Sequence, residues 1–169
     1  PGDLVVLDAN PGHDVGVVSL AGELVRVQMD RKSSNGDTYD MRKVLRKATQ
    51  DDVDRWHAAR KLEDETMFAA RKVVADARLD MKVTDVEYQG DGTKATFYYT
   101  SEQRVDFRHI LRPLSDRFKV KVEMKQIGAR QETGRIGGIG SCGRGLCGST
   151  WLTDFRSVST SAARYQQLA

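Results

Sequence analysis

Cys142 and Cys147 are the residues whose type and spacing most directly suggest chemistry in this 169-residue chain. Residues 143–146 separate them, a gap that lets two thiolates approach one zinc ion or one edge of an iron–sulfur cluster. Either centre needs more than two ligands. His13, His57 and His109 fall in separate predicted elements, so a complete site requires cysteines from beyond Ala169 or from partner chains. The competing reading is a pair of small, partly buried thiols with no ligand role. Both cysteines lie in residues 133–150, TGRIGGIGSCGRGLCGST, which hold seven of the fifteen glycines. Each glycine loses the most backbone entropy on ordering and contributes no side chain to packing, so the stretch reads as a loop rather than a regular element. A metal, an anion, a partner protein or tight packing must then fix its shape.

Other chemistries fit less well. Gly138-Ile139-Gly140-Ser141-Cys142-Gly143 is a literal G-x-G-x-x-G. A dinucleotide fingerprint, however, needs a hydrophobic strand directly before it, a helix opening through it and an acidic residue about 20 positions on, and none of these is present. A phosphate-binding Walker loop is excluded because no glycine is followed by Lys and then Ser or Thr. No serine has a nucleophile-elbow context and neither cysteine has a local base, so hydrolysis finds no support. Asp106 and Asp116 sit between basic neighbours, as ion-paired carboxylates do.

The net charge is only +3, but between residues 104 and 147 ten Lys and Arg face four Asp and Glu. A basic segment of this kind attracts phosphate backbones or an acidic protein surface. Arg104, Arg108, Lys121, Lys125, Arg130, Arg135 and Arg144 are the candidate nucleic-acid or partner contacts. Phe97, Tyr98 and Tyr99 are either base-stacking platforms or ordinary strand core. The plain alternative for the basic segment is a solvated face whose charges are offset in three dimensions.

These residues need a scaffold, which the sequence predicts as α+β. Residues 1–48 read as a β-rich region, with valine-rich strands over 4–8 and 15–29 forming a small sheet or a partly closed barrel. Asn35-Gly36 marks a turn within 30–40. A long connecting helix is predicted over 49–80, opened by a Thr49 cap and the acids Asp51 and Asp52. An α+β module follows over 81–169. Its strands 81–88 and 94–99 flank the hairpin signal Gln89-Gly90-Asp91-Gly92. Next come a helix over 102–118, capped by Ser101 and kinked at Pro113, and a period-two strand from Lys119 to Ile127 with Val120, Val122, Met124 and Gln126 on one face. Strand, helix and strand there predict a right-handed parallel crossover. A further helix is expected to begin in residues 159–169. No apolar run approaches the roughly 20 residues of a membrane span, and no export signal opens the chain. With two cysteines, the reducing cytosol is the expected compartment.

Five motifs in order carry a family resemblance: Arg104-Val-Asp-Phe-Arg108, Lys125-Gln-Ile-Gly-Ala-Arg130, Gly137-Gly-Ile-Gly-Ser-Cys-Gly-Arg144, Leu146-Cys147, and Ser149-Thr-Trp-Leu-Thr-Asp-Phe155. With them the chain resembles the polymerase-suppressor C-terminal domain family over nearly its whole length. The resemblance implies a cytoplasmic, non-enzymatic regulatory adaptor of RNA processing, associated with sporulation. Such an adaptor binds small helical partner proteins and directs the endoribonuclease RNase Y to transcripts. It also implies Cys142 and Cys147 as ligands of an iron–sulfur cluster shared with partner chains, zinc being the lesser option. One position departs: where the family often reads Leu-Cys-Cys, this chain has Leu146-Cys147-Gly148, one thiolate fewer. The alternative expectation is a direct, metal-independent RNA-binding module that uses residues 104–147.

Overall fold

Valine-rich segments separated by a tight turn build the first sheet of the protein. The computed structural model describes residues 1–33 and 42–152, with 159, 161 and 164. The Asn35-Gly36 turn lies outside these residues, as does almost all of the helix expected over 159–169. The chain divides into two units, Pro1–Lys125 and Gln126–Ala169. In the first, strands β1 (Leu4–Asp8), β2 (His13–Val17) and β3 (Val44–Lys47) form an antiparallel sheet in the order β2-β1-β3. Val5 and Val6 are both buried although they point to opposite faces, so β1 is covered on both sides.

Three strands do not close, and the partly closed barrel expected here is an open sheet. The difference lies in residues 23–29, expected as strand, which form helix α1 (Glu23–Ser33). Val25, Val27 and Met29 alternate as a strand would. Yet both edges of β1 are taken by β2 and β3. Gly22, at φ +71°, accepts the Val25 N–H at 3.2 Å, and Glu23 places an acid in the first turn. Local helix signals prevail where the sheet offers no central place.

The long helix exists but is bent. Helices α2 (Gln50–Lys61) and α3 (Glu63–Asp76) meet at Leu62, whose N–H bonds to Ala59 O at 3.1 Å, a tighter i→i−3 turn. The Thr49 cap forms as a reciprocal capping box with Asp52. Asp52 is buried and paired with Arg46 on β3 and with Arg55 at 2.9 Å. The Arg46 guanidinium, then the Thr49 N–H and hydroxyl, hold its carboxyl below the usual carboxylate range. One carboxylate thereby ties the first sheet to the helix.

Helix α3 ends in a Schellman motif. The Leu79 N–H reaches Val74 O at 3.3 Å and the Arg78 N–H reaches Ala75 O at 3.0 Å, while Leu79 packs against the core with Val74. Arg78 occupies the position that favours glycine, at φ +51°. Arg78→Gly is therefore expected to stabilise the protein by roughly 0.5–1 kcal/mol, read as a higher urea midpoint with an unchanged slope.

The second sheet follows the sequence closely. Strands β4 (Lys82–Tyr88) and β5 (Lys94–Thr100) pair antiparallel around the predicted hairpin, where Gly92 at φ +72° donates to Gln89 O at 2.8 Å. Helix α4 (Arg108–Phe118) then leads to β6 (Lys121–Gln126) beside β5. The Lys121 N–H bonds to Thr93 O, Lys94 pairs with Glu123, and Lys125 lies near Tyr98. Partner numbers rise together, so β5 and β6 run parallel, as expected. Helix α4 starts six residues later than predicted and runs through Pro113. The Ser101 hydroxyl contacts Asp80 O and Gln103 O rather than capping, and Phe107 packs edge-on against Tyr99 at 5.7 Å. Phe97, Val83, Val86, Ile110 and Leu114 form the fully buried centre between this sheet and helices α3 and α4.

The two sheets are locked by their turns. Asp14 Oδ1 accepts the Gly90 N–H at 2.9 Å, Gln89 Nε2 donates to Pro11 O, and Asp91 Oδ2 accepts the His13 N–H at 2.9 Å. Asp91 Oδ1 also accepts from Thr93 N, Thr93 Oγ1 and Gln89 Nε2 at 2.8–3.0 Å. Burial pushes the Asp91 carboxyl up, but these donors together outweigh it and leave the group below its ordinary value.

Candidate functional site

The glycine- and cysteine-rich stretch has its own internal order. Helix α5 (Ala129–Ile136) precedes most of it, opened by Gly128, whose N–H bonds to Gln131 Oε1 at 3.1 Å, and closed by Gly137 at φ +74°. The stretch predicted as a loop from residue 133 thus begins inside a helix. Ile139 and Gly145 then pair as a one-rung antiparallel bridge, with Gly140 N–H on Arg144 O at 2.8 Å and Leu146 N–H on Gly138 O at 3.0 Å. Residues 140–143 form the turn of this small hairpin, and Gly143, at φ +77°, donates to Gly140 O. Helix α6 (Cys147–Thr150) follows directly, and the Ser149 and Thr150 hydroxyls bond back to Leu146 O.

Close approach explains two of the glycines. A Cβ on Gly134 would meet Gly148 O at 3.2 Å, and one on Gly138 would meet the Leu146 side chain at 3.1 Å. Backbone bridging and packing therefore fix this segment from within. Helix α5, not a strand, stands directly before the G-x-G-x-x-G, and no helix opens through it.

Cys142 sits in the hairpin turn and Cys147 at the start of α6; both are free and exposed rather than partly buried. Ile139, 78% exposed, Trp151, 71% exposed, and Ile136 stand in solvent on the same unit. Among the described residues no group of three or more His, Cys, Asp or Glu is placed to hold a metal. The described residues form no closed metal site by themselves: they offer two exposed thiols, where a zinc ion or an iron–sulfur cluster needs more ligands.

The predicted basic contacts divide between the units. In Pro1–Lys125, Arg104 is exposed in the irregular segment before α4, and Arg108 is exposed with its Nε 3.7 Å from Asp106 Oδ1. Lys121 and Lys125 alternate with Glu123 on the outer side of β6, the Lys125 Nζ 5.9 Å from the Tyr98 ring centre. In Gln126–Ala169, Arg130 and Arg135 lie on α5 and Arg144 in the hairpin, all exposed. Each set is solvent-facing in its own unit.

The three strand aromatics part company. Phe97 and Tyr99 are core, and Tyr98 faces outward with its hydroxyl donating to Glu87 Oε2 at 2.8 Å. The strict alternation of β5 already carried this distinction. What sequence reasoning missed is the polar cleft beside Tyr98, in which Arg42, Lys43 and Lys94 join residues far apart in the chain. No helix among the described residues is long and apolar enough to cross a membrane.

Two features thus define the protein's class: a mixed α+β body of two three-stranded sheets joined by a bent helix, and a glycine-ordered unit presenting two free thiols. The chain belongs to the PSP1 C-terminal conserved region family, matched over residues 42–127. It is 36% identical over 168 residues to the stage 0 sporulation protein YaaT of Bacillus subtilis, covering 98% of this chain and 58% of that protein. It is 31% identical over 142 residues to an uncharacterized protein, PB7E8.02, of Schizosaccharomyces pombe, covering 72% of this chain and 19% of that one. Protein PSP1 of Saccharomyces cerevisiae is 38% identical over 55 residues, 32% of this chain and 6% of the relative. The chain thus spans just over half of YaaT. No solved structure matches it. The family match ends before α5, whereas the likeness to YaaT takes in almost the whole chain, the cysteine-bearing hairpin with it.

Proposed function

We propose that this protein is a cytoplasmic, non-enzymatic regulatory adaptor of RNA processing that works with small helical partner proteins and influences RNase Y-dependent mRNA maturation. By its likeness to a stage 0 sporulation protein, the process it serves is the onset of sporulation. The observation that carries the reading is the exposure of both thiols, and of Ile136, Ile139 and Trp151, on one unit, in a segment ordered by its own backbone bonds. An apolar surface with two unengaged thiols suits docking more than catalysis. Cys142 and Cys147 would supply two thiolates to an iron–sulfur cluster completed by partner residues. When bound, such a cluster joins chains through a centre sensitive to oxidation. The chain's own part is to hold the two sulfurs on a backbone-bridged hairpin and a short helix.

Anaerobic purification with co-expressed partners is expected to yield iron and sulfide, and Cys142→Ser and Cys147→Ser each to remove most of both. Equal iron in wild type and variants, or none with partners present, would refute the shared cluster. The exposed arginines and lysines of residues 104–147 favour a second reading, direct RNA binding without metal. That reading requires RNA affinity in the metal-free chain which falls steeply with salt and weakens in Arg135→Ala and Arg144→Ala.

A further inference from the structure

Beside the outer face of the β4–β5–β6 sheet lies a cleft that the adaptor reading leaves unused. One cavity of about 230 Å³ is lined by Tyr98, Thr96, Lys94, Glu87 and Arg42 among others. A second, of about 310 Å³, shares Arg42, Gln89 and Lys94 and extends toward Asn10 and Lys43. The second alone reaches the lower end of the range for small-ligand sites, roughly 300–1,000 Å³, and the first, beside Tyr98, is smaller. We propose that this cleft binds one nucleotide, with the base stacked on Tyr98 and the phosphate between Arg42 and Lys94.

Three observations support the assignment. Tyr98 is the aromatic that β5 turns outward, and its hydroxyl bond to Glu87 holds the ring in place at the sheet surface. A held ring offers a stacking face at low entropic cost. Arg42 is oriented by Asp14, Nη1 to Oδ2 at 3.1 Å, and a guanidinium carries five donors, so this bond does not exhaust it. Lys94 is held by Glu123 on the neighbouring strand. Both cations are thereby positioned before any ligand arrives, which lowers the ordering cost of binding.

Charge decides the size of the ligand. Arg42, Lys43 and Lys94 are offset by Asp8, Asp14 and Glu87 around the two cavities and by Glu123, which pairs with Lys94 beside them. A cleft with no net positive field does not track a polyanion. It suits one stacked base with one phosphate, and Thr96 and Asn10 line it with polar groups for a base edge. The cleft lies apart from the cysteine hairpin but touches the basic segment, since Glu123 pairs with Lys94 and Lys125 Nζ lies 5.9 Å from the Tyr98 ring centre, leaving the other face of the ring for a base.

The test uses the full chain, with AMP and UMP in titration calorimetry and a labelled single-stranded RNA of about ten nucleotides in fluorescence anisotropy. Tyr98→Ala is expected to weaken binding tenfold or more, equivalent to about 1.4 kcal/mol, and Tyr98→Phe by less, since it keeps the stacking face and loses only the bond to Glu87. Arg42→Ala and Lys94→Ala should each weaken binding and flatten a salt dependence worth about one or two phosphates. These two variants test the same cleft should Tyr98→Ala fail to fold. RNA binding tenfold tighter than the mononucleotides supports the site with a strand as its source; equal affinity supports it with free nucleotide. Binding of neither probe overturns the proposal. So does RNA binding that ignores Tyr98→Ala and Arg42→Ala and shows the steep salt slope of the basic segment.

Discussion

Gly12→Ala is expected to destabilise the folded protein by about 3 kcal/mol or more, and Gly90→Ala by about 1–3 kcal/mol. Gly12 combines two constraints. Its φ of +76° is strained for any L side chain, and a Cβ there would lie 1.9 Å from Asp91 Oδ2. A carboxylate oxygen can usually swing aside. This one is held by the His13 N–H, and its partner oxygen by Thr93 and Gln89, so moving it breaks the lock between the sheets. At Gly90 the obstacle is backbone: a Cβ would meet Val15 N at 2.7 Å, and Val15 belongs to β2. Gly92→Ala is the control, because its φ of +72° is similar but nothing lies within 4 Å. Its cost should stay near the backbone strain alone, about 1–2 kcal/mol. Urea unfolding at neutral pH measures all three. A Gly12→Ala midpoint no lower than that of Gly92→Ala would show that the turns do not lock the sheets.

Asp91→Asn is expected to cost about 1.5–3 kcal/mol, the range for hydrogen bonds made to a charged group. Both carboxylate oxygens act as acceptors, so an amide must turn its NH₂ toward donors that it cannot satisfy. The same group sets an acid dependence. Its folded pKa lies below its unfolded value near 3.8, so its stabilisation is fully present above that value and is lost as pH falls through the folded pKa. Asp52, also lowered, acts in the same direction. Urea midpoints of wild type should therefore fall below about pH 4, and Asp91→Asn should narrow that fall. An identical acid profile in the variant would show that Asp91 contributes nothing to it. Because this lock brings Arg42 and Lys94 to one cleft, Asp91→Asn should also weaken nucleotide binding without touching it.

Much of the fold was written in short-range signals. Gln89-Gly90-Asp91-Gly92 predicted its hairpin because Gly92 supplies the positive φ the turn needs. Thr49 predicted the start of α2 because a hydroxyl that accepts a helix N–H works within three residues. The alternation of β5 and β6 set which side chains face the core. Residues 23–29 misled because apolar spacing fits strand and helix alike, and the choice depended on whether β1 had an edge to offer. Residues 102–107 misled because Ser101 found carbonyl partners from Asp80 and Gln103 instead of a helix to cap.

The sites divide along the same line. By itself the sequence determined the family, the two thiols and the basic segment, since each rests on residue identity. Tertiary structure alone decided that the glycine stretch is a bridged hairpin between helices, that both thiols are exposed, and that Arg42 and Lys94 border one cleft with Tyr98. The physical reason is range. Turn, cap and period signals act over a few bonds, while an edge already filled, or a cation drawn beside a ring some fifty residues on, exists only once distant segments have packed.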